Sequence, residues 1–328
     1  MTGSAGSGLA TNNADGFTVM DSEFSTNADH GIRFDANKNS VARNNTIGNN
    51  GLYGVLVVTS DTGQTTSNII VNGNYIGTDT NENVASNGRS GIWVLGSAEG
   101  HGPVDNVTIR GNRIANNAVH GIEVWSATNV TLGGTRGDGS TENIITDNAQ
   151  YGIAFTDHVT GSLVHGNSLS GNRQAGLFLN GARGLSVGGL DSAQSLDIQK
   201  SDFGVVAGGD LTGTTLTGNT IHENSQAGFQ LLGSRNFNIF RNTIEKNGAY
   251  GVLAMGDSRG SRIYGNAISD HGAGVWLAGA RGMVIGSMAG TSNEQAIGNK
   301  IEKNSSVGII IQGEDSFDNV ILSNQIDA

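Results

Sequence analysis

The sequence predicts an all-β fold in which about twelve coils of short parallel strands stack into a solenoid. Three observations predict it: the composition, a glycine-led quartet that recurs along the chain, and an asparagine-led triplet between the quartets. The 328 residues include 52 Gly, 37 Asn, one Pro and no Cys. Because Gly and Asn tolerate positive φ and punctuate short strands, this excess argues against long helices.

The first repeated element is a Gly followed by an apolar residue, any residue and a second apolar residue. Twelve such quartets lie about 27 residues apart on average, and the tightest group is spaced by 23 to 24. They are GFTV at 16–19, GIRF at 31–34, GVLV at 54–57, GIWV at 91–94, GIEV at 121–124, GIAF at 152–155, GLFL at 176–179, GVVA at 204–207, GFQL at 228–231, GVLA at 251–254, GVWL at 274–277 and GIII at 308–311. Each quartet is predicted to be one strand of one coil.

The second element is Asn, any residue, then an aliphatic residue. It occurs at 45–47, 74–76, 112–114, 167–169, 219–221, 242–244, 266–268, 299–301 and 324–326. A third short strand precedes many of these triplets, as at 106–109, 236–239 and 319–322. A coil with three short strands cannot bury its inward side chains alone, but stacked coils about 4.8 Å apart would form a rod about 55 Å long.

The turn residues fit this arrangement. We expect each recurring Asn to adopt left-handed backbone geometry in a tight turn and to bond the Asn one coil away in a buried ladder. The wider spacings, 37 residues from Gly54 to Gly91 and 34 from Gly274 to Gly308, predict projecting loops near 59–90 and 280–300. We interpret residues 1–328 as a single domain and, because no leader or capping helix is evident, as part of a longer protein.

Charge excludes several function classes. Eighteen basic against 29 acidic residues give a net charge of −11 with no basic cluster, so we expect no nucleic-acid partner. The longest apolar runs, at 54–58 and 308–311, are far shorter than the ~20 residues of a membrane span. The absence of Cys is compatible with the cytosol and with many secreted bacterial proteins. The same negative charge would repel a polyanionic sugar unless Ca²⁺ or a local arginine intervened.

The glycine-led quartets with their Asn-x-Ile turns resemble the right-handed parallel β-helix repeat superfamily over residues 12–328. The resemblance implies a right-handed, single-stranded parallel β-helix and a role in polysaccharide handling or in structure, since the superfamily includes pectate lyases, polygalacturonases, phage tailspikes and mannuronan epimerases. Residues 28–34 and 149–155 are similar to coils of the epimerase catalytic module. In that module a Tyr-Gly-Phe-Asp-Pro-His coil carries the chemistry.

The epimerase motif is matched only in part. Tyr151 and Gly152 fit it, but Ala154 stands where that family has its aspartate, and Asp157 and His158 lie two residues too late. The resemblance therefore supports the fold more strongly than it supports epimerase activity.

Strand alternation predicts that residues two and four after each Gly point outward on one sheet face. The first outward row is Thr18, Arg33, Leu56, Trp93, Glu123, Ala154, Phe178, Val206, Gln230, Leu253, Trp276 and Ile310, and the second is Met20, Asp35, Val58, Leu95, Trp125, Thr156, Asn180, Gly208, Leu232, Met255, Ala278 and Gln312. All three tryptophans of the chain fall on this face. We expect such an apolar surface to be covered either by the 59–90 insertion, the C-terminal tail or an oligomer partner, or by a sugar that stacks on Trp93 and Trp125.

A column of residues just before the glycines adds chemistry. His120 precedes one quartet and Tyr53 and Tyr151 precede others, so His120, Glu123 and Tyr151 form the densest cluster of proton-transfer groups on the face. Lyase or epimerase chemistry needs a base, an acid and a cation that stabilises an enolate. We assign Glu123 or His120 as base and Tyr151 as acid, with Arg89 as the one sequence-local cation. Simple stacking of the aromatic column is the alternative.

Two further sets of residues give weaker signals, one for uronate binding and one for metal binding. His30, Arg33 and Asp35 would bind a uronate through Arg33, or form an exposed ion pair on an early coil. The acidic loop 79–83 lacks the turn glycine and the closing acid of a strong Ca²⁺ site, and the seven His show no metal-like spacing. We therefore predict no cofactor and no metal ligand, with opportunistic Ca²⁺ binding by loop carboxylates left open.

The sequence thus predicts a secreted or surface bacterial module that binds, and in one version modifies, an extended uronate-containing polysaccharide. The predicted binding residues are Trp93, Trp125, Tyr53, His30, Arg33 and Asp35. If the chain is an enzyme, we expect a polysaccharide lyase or a mannuronan-epimerase-like protein. The alternative is a non-catalytic structural rod of an adhesin or fibre that forms homo-oligomers through the apolar face.

Overall fold

The computed structural model describes residues 1–97, 100–138, 140–287 and 297–327. Within these residues, thirty-six strands form three parallel sheets of twelve strands each. Each strand pairs with the strand three later in the chain, so every coil contributes one strand to each sheet. We number the coils 1 to 12 in chain order. The predicted right-handed parallel β-helix of about twelve coils is confirmed.

The strand bounds show the repeat directly. The first sheet contains Leu9–Asn12, Ile32–Asp35, Val55–Val58, Ile92–Leu95, Ile122–Trp125, Tyr151–Thr156, Ala175–Asn180, Phe203–Asp210, Ala227–Arg235, Tyr250–Met255, Ala273–Ala278 and Val307–Gln312. The second contains Thr18–Met20, Val41–Arg43, Thr66–Asn72, Val104–Arg110, Thr131–Gly133, Leu163–His165, Ser186–Gly188, Thr215–Thr217, Asn238–Phe240, Arg262–Tyr264, Val284–Ile285 and Val320–Ile321. The third contains Glu23–Ser25, Thr46–Gly48, Tyr75–Ile76, Arg113–Ala115, Ile144–Thr146, Ser168–Ser170, Asp197–Gln199, Thr220–His222, Thr243–Glu245, Ala267–Ser269, Lys300–Glu302 and Gln325–Ile326. A 3₁₀ turn spans Ser192–Gln194.

One continuous apolar core runs along the axis of the helix. Inward residues such as Ile92, Val94, Ile122 and Val124 are fully buried, and each stacks on its equivalent in the next coil. The glycine at the start of each strand of the first sheet is required by close approach: a Cβ on Gly91 would lie 2.7 Å from Ile114 Cγ2 and 2.8 Å from the Gly121 carbonyl oxygen. The coil therefore turns tightly against its neighbour at this position.

The predicted first quartet is misplaced. Strand Thr18–Met20, which follows Gly16, belongs to the second sheet, whereas the first strand of the first sheet is Leu9–Asn12 after Gly8. Thr18 and Met20 therefore do not lie on the predicted face, and Ala10 pairs with Arg33 instead. Both glycines precede an apolar-containing strand, so the pattern alone did not separate them. The count of twelve coils is unchanged because Gly8 replaces Gly16.

Two buried ladders of side chains connect the coils. The predicted ladder includes Asn45, Asn74 and Asn112, whose amides bond the next Asn at 3.0 Å and 2.9 Å. A second ladder precedes the first sheet in two bonded runs: Asn27, Asn50, Asn87, Asn117, Asn148 and Asn172, and then Ser201, Asn224, Asn247, His271 and Asn304. The ladders satisfy turn amides that would otherwise be buried without partners.

The expected left-handed geometry belongs to a different residue. Positive φ occurs at the residue before the ladder position, as at Asn44 (54°), Gly73 (67°) and Lys246 (53°), not at the ladder asparagines themselves. The ladder Asn is retained because its short amide can both accept from a backbone N–H and donate to the next coil. The prediction of left-handed ladder asparagines was wrong.

The predicted loop at 59–90 is partly strand. Thr66–Asn72 and Tyr75–Ile76 belong to the second and third sheets, which leaves 59–65 and 77–90 as connections. Of the loop predicted near 280–300, residues 288–296 lie outside the described residues. In the part of the chain that the structure describes, no helix is long and apolar enough to cross a membrane.

Candidate functional site

The outer face of the first sheet carries the candidate site. The strand register aligns Arg33, Leu56, Trp93, Glu123 and Ala154 in one row. The same row continues to Phe178, Val206, Gln230, Leu253, Trp276 and Ile310. Trp93, Trp125 and Trp276 therefore lie on one side of the rod, and each is half-buried.

Part of this face is a small apolar cluster separate from the core. Leu56, Val58 and Leu95 point outward yet are only 6%, 2% and 5% exposed, and Trp93 and Trp125 pack against them. The indoles themselves thus cover part of the apolar surface that the sequence left unexplained. Directly after Val58, the Thr59 carbonyl accepts the backbone N–H of Gly102.

Tyr53 and Trp93 form an aromatic pair that we call the N-terminal platform. Their ring centroids are 4.7 Å apart at an interplanar angle of 33°, and His30 stacks on the other side of Tyr53 at 5.5 Å. The Trp93 indole Nε1 is buried and has no partner among the described residues, so the exposed part of the ring is carbon. An exposed aromatic carbon surface is suited to stacking, more than to hydrogen bonding.

Glu123 lies beside this platform, on the strand that pairs with the Trp93 strand. Ser90 donates its Oγ–H to Glu123 Oε2 at 2.8 Å. Burial raises the pKa of the Glu123 carboxyl, and the Ser90 hydrogen bond and the Arg89 charge oppose that rise. Burial, then the Glu123 charge, raises the pKa of Tyr53 to about 12. Glu123 and Tyr53 therefore share one electrostatic environment.

His120 stacks on Tyr151 at 5.0 Å, and Tyr151 stacks in turn on Phe178 at 4.5 Å. The Tyr151 backbone N–H donates to His120 Nδ1, and burial lowers the pKa of His120 to about 4. In the tautomer that this contact requires, the proton is on Nε2, so His120 is neutral and acts as a donor. Burial also raises the pKa of Tyr151.

His30 repeats the geometry of His120. Its Nδ1 accepts the Tyr53 backbone N–H, and burial, followed by the Arg33 charge, lowers the pKa of His30 to about 4. The recurrence shows that a histidine in this column is held by the turn of the next coil. This geometry favours a positioning role for His120 and leaves Glu123 as the basic group of the cluster.

Arg33 and Asp35 are engaged with each other and with the 59–65 segment. Arg33 Nη2 lies 2.6 Å from Asp35 Oδ2 and donates to Ser60 Oγ at 2.8 Å, while the Ser60 N–H donates to Asp35 Oδ1. Asp35 is only 3% exposed. The sequence predicted the ion pair between Arg33 and Asp35. It did not predict that Ser60 bonds both side chains, because Ser60 comes from the next coil.

Trp125 has a partner that the sequence analysis did not identify. Its Nε1–H donates to Asp157 Oδ2 at 3.0 Å, across to the turn that follows the next strand of the sheet. Asp157 has a positive φ of 47°, which directs this turn back toward the indole. The signal was available in the spacing, since Asp157 lies one residue beyond the position aligned with Trp125.

Among the described residues, no group of three or more His, Asp or Glu side chains could hold a metal ion. In the acidic loop at 79–83, Asp79 accepts hydrogen bonds from Asn81 and Asn83. Those bonds, the Asn83 side chain first, lower the pKa of Asp79. Its carboxylate is therefore used by the loop itself, and Ca²⁺ binding there stays a prediction.

Comparisons with known proteins agree with this architecture. Residues 1–135 and 69–191 match the family profile described as the right-handed β-helix region, and residues 137–284 match the one described as periplasmic copper-binding protein (NosD). No curated protein matches the chain in sequence. Among solved structures, the A-module of the mannuronan C-5 epimerase AlgE6 of Azotobacter vinelandii is 16% identical, with 95% of this chain and 90% of that chain covered and a TM-score of 0.59.

A second solved structure, the periplasmic alginate epimerase AlgG, is 14% identical, with 95% of this chain and 77% of that chain covered and a TM-score of 0.51. Identities this low establish a shared fold and leave activity to be argued from the site itself.

Proposed function

Because the chain belongs to the right-handed β-helix family, we propose that it binds an extended polysaccharide along the outer face of its first sheet, over coils 2 to 6. The observation that carries the proposal is the N-terminal platform, a half-buried Tyr53–Trp93 pair with the Glu123 carboxyl next to it. Aromatic surfaces stack on the apolar faces of pyranose rings, and adjacent polar groups orient the hydroxyls. The two epimerases of similar fold act, by their names, on mannuronan and alginate.

A uronate polymer needs a cation on this acidic chain. Arg33 is paired with Asp35, so it would have to leave that carboxylate to bind a substrate. Arg89 is exposed, and its charge is close enough to lower the pKa of both Glu123 and Tyr53. We therefore favour Arg89 as the group that neutralises a bound uronate, with Trp125 extending the contact surface. His30 is only 8% exposed and stacks on Tyr53, so it would support the platform from within the protein instead of contacting the sugar.

If the chain is catalytic, its chemistry is that of an epimerase or lyase. Glu123 would remove the proton next to the uronate carboxylate, and its raised pKa makes it a stronger base than an exposed carboxylate. Tyr151 would return a proton to the opposite ring face, which inverts the carbon, or to the leaving glycosidic oxygen, which breaks the chain. His120 would donate through Nε2–H and hold Tyr151 in place.

We place this activity outside the cytoplasm of a bacterium, either secreted or at the cell surface. The matched NosD family and AlgG are both described as periplasmic, which supports an exported chain. We make no copper proposal, because the described residues provide no cluster of three His, Asp or Glu ligands. A structural rod that assembles through the apolar part of the face is the alternative function, favoured by Leu232, which is 46% exposed on that face.

The proposal is tested by Trp93→Ala on affinity gels containing alginate, pectate or a neutral β-glucan. We expect the wild-type chain to be retarded by at least one polymer and the variant to lose most of that retardation, about tenfold in affinity, because stacking area is removed. Tyr264→Ala is the matched control, since Tyr264 stacks on Phe240 at 4.5 Å in the second sheet, on another face. Equal retardation of both variants and wild type would remove the proposal.

A further inference from the structure

We propose that Tyr250 and Trp276 form a second platform that binds the same polysaccharide, so that one polymer chain spans both platforms. This inference rests on the proposed function and extends it to the far end of the rod. We call this pair the C-terminal platform. It lies on coils 10 and 11, and neither residue belongs to the N-terminal platform or to the cluster of His120, Glu123 and Tyr151.

The two platforms are built in the same way. In each, a Tyr directly precedes the glycine of one coil, and a Trp lies two residues after the glycine of the next coil. The Tyr250 and Trp276 centroids are 4.8 Å apart at 58°, against 4.7 Å and 33° for Tyr53 and Trp93. The repeat has thus placed two equivalent aromatic pairs on one face.

Both indoles also share an unusual orientation. Nε1 of Trp276, like that of Trp93, is buried and lacks a partner among the described residues, whereas Nε1 of Trp125 is bonded to Asp157. Leaving a buried N–H unpaired is unfavourable for folding. Its orientation leaves ring carbons as the exposed part of each half-buried indole, which is the surface that a sugar ring stacks on.

The surroundings define the chemistry that the C-terminal platform accepts. In coils 9 to 11 the two outward rows hold Gln230, Leu253 and Trp276, and Leu232, Met255 and Ala278. None of these side chains is ionisable. The platform therefore fits the apolar face of a pyranose, with the Gln230 amide available to a hydroxyl, and it has no acid–base pair. It would bind the polymer without catalysing a reaction.

The spacing sets the length of polymer that can use both platforms. Trp93 and Trp276 are seven strands apart in the same sheet, which corresponds to about 34 Å at about 4.8 Å per strand. A polymer longer than this reaches both platforms, whereas a tetrasaccharide occupies one. Two linked contacts raise the apparent affinity well above that of either alone.

The test measures how affinity depends on polymer length. Alginate, pectate and a neutral β-glucan are each offered as polymer and as tetrasaccharide to the wild-type chain and to Trp93→Ala, Trp276→Ala, Trp276→Phe and Tyr264→Ala. For the polymer that binds, we expect Trp276→Ala to reduce polymer affinity about tenfold or more. Trp276→Phe should recover most of the loss, because it restores an aromatic ring, and Tyr264→Ala should have no effect. Circular dichroism checks that each variant retains the β-helix.

The possible outcomes are distinct. Loss of affinity in Trp93→Ala with unchanged polymer binding in Trp276→Ala overturns the second platform and leaves the proposed function standing. Binding of none of the three polymers overturns both. Light scattering that shows a dimer, dissociated by Trp276→Ala with sugar binding intact, identifies the face as an interface between copies of this chain and also overturns the second platform.

Discussion

The N-terminal and C-terminal platforms share the positions of their Tyr and Trp in the repeat and the spacing of the two rings, but differ in the tilt of the rings and in what surrounds them. Beside Tyr53 and Trp93 lies the Glu123 carboxyl, bonded by Ser90, whereas the residues beside Tyr250 and Trp276 are apolar or neutral. The repeat therefore reproduces the position of each aromatic ring from coil to coil, while the outward neighbours decide whether a site can do chemistry. Under the proposed function, the N-terminal platform would have an acid–base group beside its binding surface, whereas the C-terminal platform would only bind.

The turn beneath each platform differs as well. Below the N-terminal platform the ladder is Asn50, Asn87 and Asn117, whereas below the C-terminal platform it is Asn247, His271 and Asn304. His271 Nδ1 accepts the Asn247 backbone N–H and Nε2 reaches the Ile244 carbonyl, both at 3.1 Å. The neutral imidazole thus replaces the acceptor and donor of an asparagine amide. Of these two parts of the same ladder, only the part below the C-terminal platform contains a titratable group.

The largest expected effect follows from Asn87→Ala, which interrupts the second ladder below the N-terminal platform. Asn87 Oδ1 accepts the Asn50 backbone N–H and side-chain amide, and its own amide donates to Asn117 and to the Ile47 carbonyl. Asn87 is fully buried, so these partners are left unpaired away from water. We expect a loss of about 3 kcal/mol in the free energy of unfolding, measured by urea denaturation.

The matched control for that change is Asn83→Ala. Asn83 is exposed, does not have a positive φ, and donates its amide to Asp79 Oδ2 at 2.8 Å, where water can replace the lost bond. We expect a change within about 0.5 kcal/mol. An Asn87→Ala variant as stable as Asn83→Ala would show that the buried ladder is not what supports the turn below the N-terminal platform.

The second prediction concerns the same ladder below the C-terminal platform and uses His271→Asn. Burial is the main cause that lowers the pKa of His271, and its hydrogen bonds to Asn247 and Ile244 and the charges of Asp270 and Glu245 only partly oppose it. The unfolded chain therefore takes up this proton at a higher pH than the folded chain. The resulting stability is present above the ordinary pKa of His and is lost as pH falls through the lower folded value.

We expect His271→Asn to match the wild type at pH 8 and to exceed it by about 1 kcal/mol at pH 5, measured by urea denaturation at each pH. His30 and His120, whose pKa values are lowered to about 4, keep some acid lability in both proteins, so the difference between them isolates His271. His158→Asn, at an exposed position, is the control. A constant difference across the pH range would argue against titration of His271.

Much of this comparison was predictable from the sequence. The quartets located eleven of the twelve strands of the first sheet, and alternation placed every tryptophan on its outer face. The prediction succeeds because every coil must bury the same inward positions and make the same turns. Apolar residues and turn residues therefore recur at fixed offsets. The first quartet was assigned to the wrong sheet because Gly8 and Gly16 both precede apolar residues. The first coil also has a neighbouring coil on one side only, so its repeat could be compared with one neighbour instead of two.

Other features depend on contacts between different coils and have no local signal. Ser60 covers Asp35, Ser90 bonds Glu123, and His271 substitutes for a ladder asparagine in a turn that is one residue shorter. In each case the partner is at least 24 residues away, and its identity is set by stacking register. The sequence therefore predicted which residues share a face, but not which of them are already occupied by protein partners.

The smallest expected effect comes from Glu123→Gln, which makes the N-terminal platform as neutral as the C-terminal one. Because the folded state raises the pKa of Glu123, the stability that this group contributes is present below its ordinary pKa and is lost as pH rises through the folded value. Glutamine keeps an acceptor for the Ser90 hydroxyl and does not ionise. We expect the variant to equal the wild type near pH 3.5 and to be more stable by about 0.5 kcal/mol at pH 7.

The pH dependence of the difference, obtained from urea unfolding at both values, separates this cause from a packing effect. A gain in stability that is the same at both pH values would mean that the amide packs better, and that the carboxyl is not strained by burial. Glu314→Gln, on the exposed turn after the last strand of the first sheet, should show no gain at either pH. A stabilised Glu123→Gln would then mark Glu123 as a residue kept at a cost to folding, which is the expected signature of a group retained for binding or proton transfer and is absent from the neutral C-terminal platform.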